Sequence, residues 1–227
     1  MSDQFFKFPS TPHLTTLSGV DVRGDKVLTG QQRKDFLAHE ILVEEKVDGA
    51  NLGISFDSDA NIRVQNRGAY LDLPGRGQWK KLADWLALRT DALFECLVDR
   101  YILFGEWCFA MHSICYDSLP DWFLAFDIYD RASERFLASG RRDDFLGIMS
   151  VSTVPRLGSG HYCLSELEQL LSQSQLTDGS AEGLYLRVEH GGWLQERAKL
   201  VRPEFVQTIT QHWSRAEIKP NRLRSVL

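Results

Sequence analysis

Glu45-Lys46-Val47-Asp48-Gly49-Ala50-Asn51, led in by Ile41-Leu42-Val43-Glu44, is the stretch on which the reading of this chain turns. The segment from Ile41 to Val47 reads as a strand that stops at a turn on Asp48-Gly49. Leu52 to Phe56 continues as a second strand. Asp57 to Asn61 is a hairpin turn, and Ile62 to Gln65 is the return strand. A lysine between carboxylates at such a junction is ordinarily a solvated surface residue. Its other reading is a nucleophile, which must lose its proton before it can attack phosphorus. Cationic neighbours or desolvation would depress its pKa. Gly49 would let a phosphate come close to the backbone.

Working outward, apolar residues at Trp79, Leu82, Trp85, Leu86 and Leu88 have helical spacing over Gln78 to Leu88, and Asp91 to Val98 follows as a second helix. Tyr101 to Met111 and Trp122 to Tyr129 are aromatic-rich runs that suit buried strands. Ser165 opens a helix, with Glu168 three residues later as a capping box. Thr153 to Gly160 reads as a loop, Gly183 to Glu189 and Ala198 to Val201 as strands, and Pro203 to Ser214 as a final helix. The fold class is α+β, with mainly antiparallel sheets flanked by helices. One large domain spans 1–206, and a short helix with a basic tail, too short for an appended barrel, spans 207–227.

The 227 residues carry 26 Lys and Arg against 31 Asp and Glu, a formal charge of −5. That balance excludes a globally basic nucleic-acid binder but leaves room for a local patch. Residues 197–227 hold seven Lys and Arg against Glu204 and Glu217, so the end of the chain differs in character from the rest. The four cysteines at 96, 108, 115 and 163 form no CxxC pair, which argues against a zinc ribbon. Cys96, Cys108 and Cys115 lie in or beside apolar runs and read as reduced core thiols. With no targeting pattern and no long apolar segment, the chain reads as soluble and cytoplasmic.

Four further segments stand out. Asn66-Arg67-Gly68 is a turn with a cation. Phe104-Gly105-Glu106-Trp107 places a carboxylate in an aromatic run, costly to bury unless it is paired with a structural arginine or serves a ligand. Phe123 to Tyr129 carries an aromatic stripe around Phe126 that, alone, would be core. Glu182-Gly183-Leu184-Tyr185-Leu186-Arg187 starts with a carboxylate and is followed by the basic run Arg197-Ala198-Lys199-Leu200-Val201-Arg202. Arg131, Arg135, Arg141 and Arg142 read either as a nucleic-acid contact or, in the plainer reading, as a solvated face, and His112 reads as structural.

In order and spacing, Lys46, Glu106, Glu182 and Lys199 resemble the motifs of the covalent nucleotidyltransferase superfamily of ligases and mRNA capping enzymes. Within it the chain is most similar to ATP-dependent RNA ligases of the RNA ligase 2-like group. Lys7-Phe8-Pro9-Ser10-Thr11-Pro12-His13-Leu14 looks like that group's N-terminal entry segment. Gly105-Glu106-Trp107 through Ala110-Met111-His112-Ser113-Ile114 to Phe126-Asp127-Ile128-Tyr129-Asp130 looks like its central block. The resemblance covers residues 5 to 206 and implies the ATP-grasp-like domain of that superfamily.

The resemblance implies a lysyl-AMP intermediate on Lys46, with Val47, Asp48, Gly49 and Asn51 completing the motif and Asn51 on phosphate or ribose. Glu45 would lie near the adenine edge, Arg67 on ribose or phosphates, Glu106 on ribose and in support of the metal, and Phe126 stacked on adenine. Glu182 would hold a hydrated Mg²⁺ or Mn²⁺, with Glu106 also acting through water. Lys199 would meet the α-phosphate. The family's last motif offers two lysines, and here Arg197 or Arg202 would be the second cation. ATP is then the cofactor, and RNA with 5′-phosphate and 3′-hydroxyl ends the partner, with an end-healing kinase or phosphatase alongside a monomeric ligase. A DNA ligase, a capping-type enzyme and a non-catalytic nucleotide- or RNA-binding subunit are the alternatives. The tail from Arg215 to Arg224 is the first candidate for gripping RNA.

Overall fold

The computed structural model describes residues 4–17, 26–206 and 218–224. Two antiparallel sheets organise the chain. The first contains β1 (Ile41–Lys46), β7 (Arg156–Gly160), β8 (Gly183–His190) and β9 (Trp193–Val201), in the order β7-β1-β8-β9. The second contains β2 (Ala50–Phe56), β3 (Ile62–Gln65), β4 (Tyr101–Trp107), β5 (Phe123–Asp130) and β6 (Arg135–Phe136), in the order β3-β2-β4-β5-β6. Val47-Asp48-Gly49 therefore carries the chain from one sheet to the other.

Helices cover the sheets. α1 (Gly30–Leu37) and α5 (Leu164–Leu170) supply Phe36 and Leu167 to a core with Ile41, Val43, Leu184, Leu186 and Leu200 of the first sheet. α2 (Leu82–Ala87), α3 (Thr90–Leu97) and α4 (Ser139–Met149) pack Trp85, Leu93, Leu97 and Leu146 against Leu52, Ile54, Leu103 and Ile128 of the second. Burying apolar surface at about 25 cal/mol per Å² makes these two layers the main source of stability.

Charge joins the sheets to each other. Arg187 of β8 reaches Asp127 of β5 at 2.6 Å, both side chains fully buried. Arg142 of α4 reaches Glu44 of β1 at 2.7 Å. Arg142 is thus 1% exposed, contrary to the solvated face expected of its cluster. A guanidinium satisfies several acceptors at once, which is what a buried cation requires.

One irregularity in β5 matters for the site. Phe104 pairs with Asp127 and Gly105 with Ala125, so Phe126 is an extra residue bulged out of the ladder. A bulge re-aims a side chain and frees its carbonyl. The Phe126 carbonyl accepts from both Arg142 (2.7 Å) and Arg187 (3.1 Å).

The α+β architecture and its antiparallel sheets match the sequence reading, but several local features differ. Arg156–Gly160 is an edge strand on β1 rather than a loop. The Gln78–Leu88 helix is a 3₁₀ turn, Gly77–Trp79, followed by α2. α5 is capped two residues earlier than expected, since the Cys163 backbone N–H donates to Glu166 and not through a Ser165–Glu168 box. Cys115 is exposed, so its apolar neighbours did not bury it. Of the final helix, Pro203–Val206 is described. The remainder of that segment and Arg215 lie outside the described residues. Residues 218–224 sit on the domain: Ala110 bridges Pro220 and Leu119 bridges Leu223. Among the described residues no helix is long and apolar enough to cross a membrane.

Candidate active site

Lys46 ends β1, where strand pairing places it opposite Gly183, one residue past Glu182. Its Nζ donates to both Glu182 carboxylate oxygens at 2.7 Å. Burial disfavours its charge, but the carboxylates of Glu182, Glu106 and Asp48 outweigh burial and hold its pKa above the ordinary lysine value. The surroundings of Lys46 in the free protein are therefore anionic, not cationic as the nucleophile reading anticipates.

The other segments arrive through the ladders. Asn51 of β2 faces Glu106 of β4, and Tyr185 of β8 faces Lys199 of β9. Asn66 Oδ1 accepts from the Gly68 and Ala69 N–H groups, a turn that puts Arg67 at the mouth of the site. Two cavities meet here. One, of about 340 Å³, has an apolar and aromatic side of Phe8, Phe126, Val154 and Tyr185, with Lys199 also on its wall. The other, of about 440 Å³, is polar, lined by Asp48, Asn66, Gln78, His112, Ser113 and Glu182 among others. Lys46, Val47, Asn51, Arg67 and Glu106 line both.

Among the described residues no salt bridge joins Glu106 to a structural arginine. Burial pushes its carboxyl up to about 8, against the pull of Lys46 and Arg67. Among the described residues its Oε2 and the Asn51 Oδ1 are buried acceptors without a hydrogen-bond partner. Unpaired buried acceptors cost free energy, and both border the cavities. Donors from a ligand, such as sugar hydroxyls or the water shell of a hard cation, would satisfy them. Among the described residues no three His, Cys, Asp or Glu side chains converge on one point to ligate a metal directly. The set therefore fits a hydrated cation held through water by Glu182 and Glu106, not a closed protein cage.

The Asp48 loop is held from one side. Its N–H donates to the Tyr116 hydroxyl at 2.8 Å, and its Oδ2 accepts from the Ser113 N–H at 2.6 Å. Gly49, which lines the second cavity, also has a packing reason. A Cβ there would meet the Trp107 carbonyl at 2.9 Å and Cys108 Sγ at 3.1 Å, so the glycine lets the loop pack onto the end of β4.

Glu45 lines the first cavity, and its buried carboxylate accepts from Ser174 Oγ and the Gln175 N–H, which ties it to the 174–175 loop. The two candidate second cations lie elsewhere. Arg197 hydrogen-bonds Asp127 and the Tyr185 hydroxyl, each at 3.3 Å, and lies over the Phe8 and Phe136 rings. Arg202 pairs with Glu204 at 3.4 Å. Neither arginine lines the two cavities. Conversely, Lys7 to Thr11, Val154 and Tyr185 form cavity wall without having been singled out as site residues. The entry segment was legible only as a resemblance. Its position follows from backbone bonds between Pro12–Leu14 and Lys199.

The family model described as RNA ligase matches residues 39–201, more than half of the chain. The chain is similar to the Naegleria gruberi RNA ligase solved as a mutant with ATP and Mn (TM-score 0.61, 18% identity, 76% of this chain and 52% of that one). The same enzyme with PPi gives a TM-score of 0.59 at 20% identity, over 74% and 51%. A mutant with AMP and Mn gives 0.58 at 18%, over 76% and 52%. This chain thus spans about half the length of those solved relatives. No curated protein matches it.

Proposed function

Because the chain belongs to the RNA ligase family, we propose that it is an ATP-dependent RNA ligase that joins 5′-phosphate to 3′-hydroxyl ends through AMP carried on Lys46. One observation supports this most: Lys46 is the lysine that lines both the aromatic-walled cavity and the polar one. A nucleophile at that junction can take AMP from a nucleotide in the first and hand it to an end entering the second.

The residues divide the work. Phe126 offers a face for adenine, while Asn51 and Glu106 accept hydrogen bonds from ribose. Lys199 and Arg67 set positive charge against the phosphates, where negative charge builds up as phosphorus becomes pentavalent. The neutral Lys46 amine forms the Nζ–P bond, and pyrophosphate departs with the electron pair of the broken P–O bond. An oxygen of the RNA 5′-phosphate then attacks that phosphorus and Lys46 leaves. The 3′-hydroxyl finally attacks the 5′-phosphate and AMP leaves. Before the first step Lys46 must be freed from Glu182 and lose its proton. A divalent cation, Mg²⁺ or Mn²⁺, held through water by Glu182 and Glu106 would supply the charge that favours the neutral amine and neutralises the phosphates.

The same reading places the protein in the cytoplasm as a monomer, on 1–206 as the adenylyltransferase unit. Its need for 5′-phosphate and 3′-hydroxyl ends calls for a kinase or phosphatase that prepares them. Mass spectrometry after incubation with ATP and Mg²⁺ or Mn²⁺ tests the reading. The expected species is an AMP adduct on the Lys46 peptide that is discharged by 5′-phosphorylated RNA. A wild-type protein that stays free of adduct overturns it.

A further inference from the structure

The segment 218–224, Ile218-Lys219-Pro220-Asn221-Arg222-Leu223-Arg224, has two faces. Inward, Asn221 is 3% exposed and its side chain is fully engaged with the 108–116 backbone. Its Oδ1 accepts from the Tyr116 N–H at 2.9 Å, and its Nδ2 donates to the carbonyls of Cys108 (2.8 Å) and Ala110 (3.2 Å). Backbone bonds from Met111 to Lys219, from Asn221 to Phe109, from Arg222 to Tyr116 and from Arg224 to Leu119 extend the seam. Outward, Lys219, Arg222 and Arg224 are exposed, and the segment contains no acidic residue.

This seam begins at the rim of the polar cavity. Met111, bonded to Lys219, directly precedes His112 and Ser113 of the cavity wall. Ile218 lies beside Gly77, next to Gln78 and Trp79 of the same lining, where Gln78 Oε1 meets His112 Nε2 at 2.9 Å. Lys80, at the end of that turn, sits with its Nζ 5.1 Å from the Phe109 ring centroid, adding an exposed cation at the same edge. In a chain of net charge −5, a strap of cations bolted to the rim of one cavity is a local reversal of sign.

We infer that residues 218–224 form a track for the phosphate backbone of a single-stranded RNA, leading its 5′-phosphate end into the polar cavity beside Lys46. The inference rests on the function proposed above for its choice of RNA. Affinity for a polyanion comes from cations that displace condensed counterions, so each phosphate contact adds about 0.7 to the salt slope for a single strand. The fixed backbone of the strap holds these cations in register with the cavity, and the buried Asn221 fixes the strap.

The test is the triple charge reversal Lys219→Glu, Arg222→Glu and Arg224→Glu in the full chain, with all three changes at exposed positions. The probe is a short 5′-phosphorylated single-stranded RNA, followed by fluorescence anisotropy across a salt series. RNA affinity should fall by at least about tenfold and the salt slope should become shallower by about 2. Lysyl-AMP formation from ATP should be unchanged, and AMP transfer to RNA should be restored at saturating RNA. Unchanged affinity and slope overturn the track. Absence of lysyl-AMP in the wild-type protein strikes the proposed function instead, and the binding measurement still decides the strap.

Discussion

Lys46 Nζ lies 2.7 Å from each carboxylate oxygen of Glu182, so in the free protein the proposed nucleophile is held as an ammonium by the residue proposed to help free it. Glu182→Gln removes the largest attractive charge on that amine. Acylation of Lys46 by an amine-directed reagent, followed against pH by peptide mass spectrometry, should shift to lower pH in this variant. Lys46→Ala should reduce AMP transfer from ATP to background. Lys46→Arg should do the same, because a guanidinium does not give up its proton.

Glu106 gives the apo protein a pH signature. The unfolded carboxyl loses its proton near 4.5, while the folded one keeps it to about 8. Between those values the folded state binds more protons, so this group's contribution makes the protein less stable as pH rises. A cation near Glu106 must displace that proton. Mg²⁺ binding should therefore release protons and tighten with pH until about 8, as isothermal titration in buffers of different ionisation enthalpy would read. In Glu106→Gln the pH slope should be lost.

Phe126 touches the cavity and also packs on Phe8, at 5.3 Å between ring centroids. Aromatic stacking on a base is worth about 1–3 kcal/mol. Phe126→Ala should weaken ATP binding by roughly 5- to 150-fold, while Phe126→Tyr should retain most of the affinity. Equal ATP affinity in wild type and Phe126→Ala would reduce the ring to core packing.

Arg187 and Asp127 tie the two sheets together with fully buried charges. Removing one partner of such a pair strands the other and costs about 3–5 kcal/mol. Arg187→Met should lower the melting midpoint by roughly 10 °C. Because the same arginine supports the Phe126 carbonyl, ATP affinity should fall as well, and the calorimetric midpoint together with ATP titration checks both.

The sequence by itself determined the class of fold and the order of the chemical groups. Strand runs such as Ile41 to Val47 announce themselves through local composition, and Lys46, Glu106, Glu182 and Lys199 stand in an order that needs no structure to be seen. Only the tertiary structure decided which neighbours each group has. Lys46 meets Glu182 across 136 residues of sequence, and no local pattern carries that register. Phe126 is turned out by a bulge in its ladder, and Arg197, beside Lys199 in sequence, turns instead to Asp127 and the Phe8 ring. Charge and exposure at a site are sums over long-range partners. A lysine that reads as poised for attack is accordingly found locked to a carboxylate, and a tail that reads as an appendage is found bonded to the loop that holds Asp48.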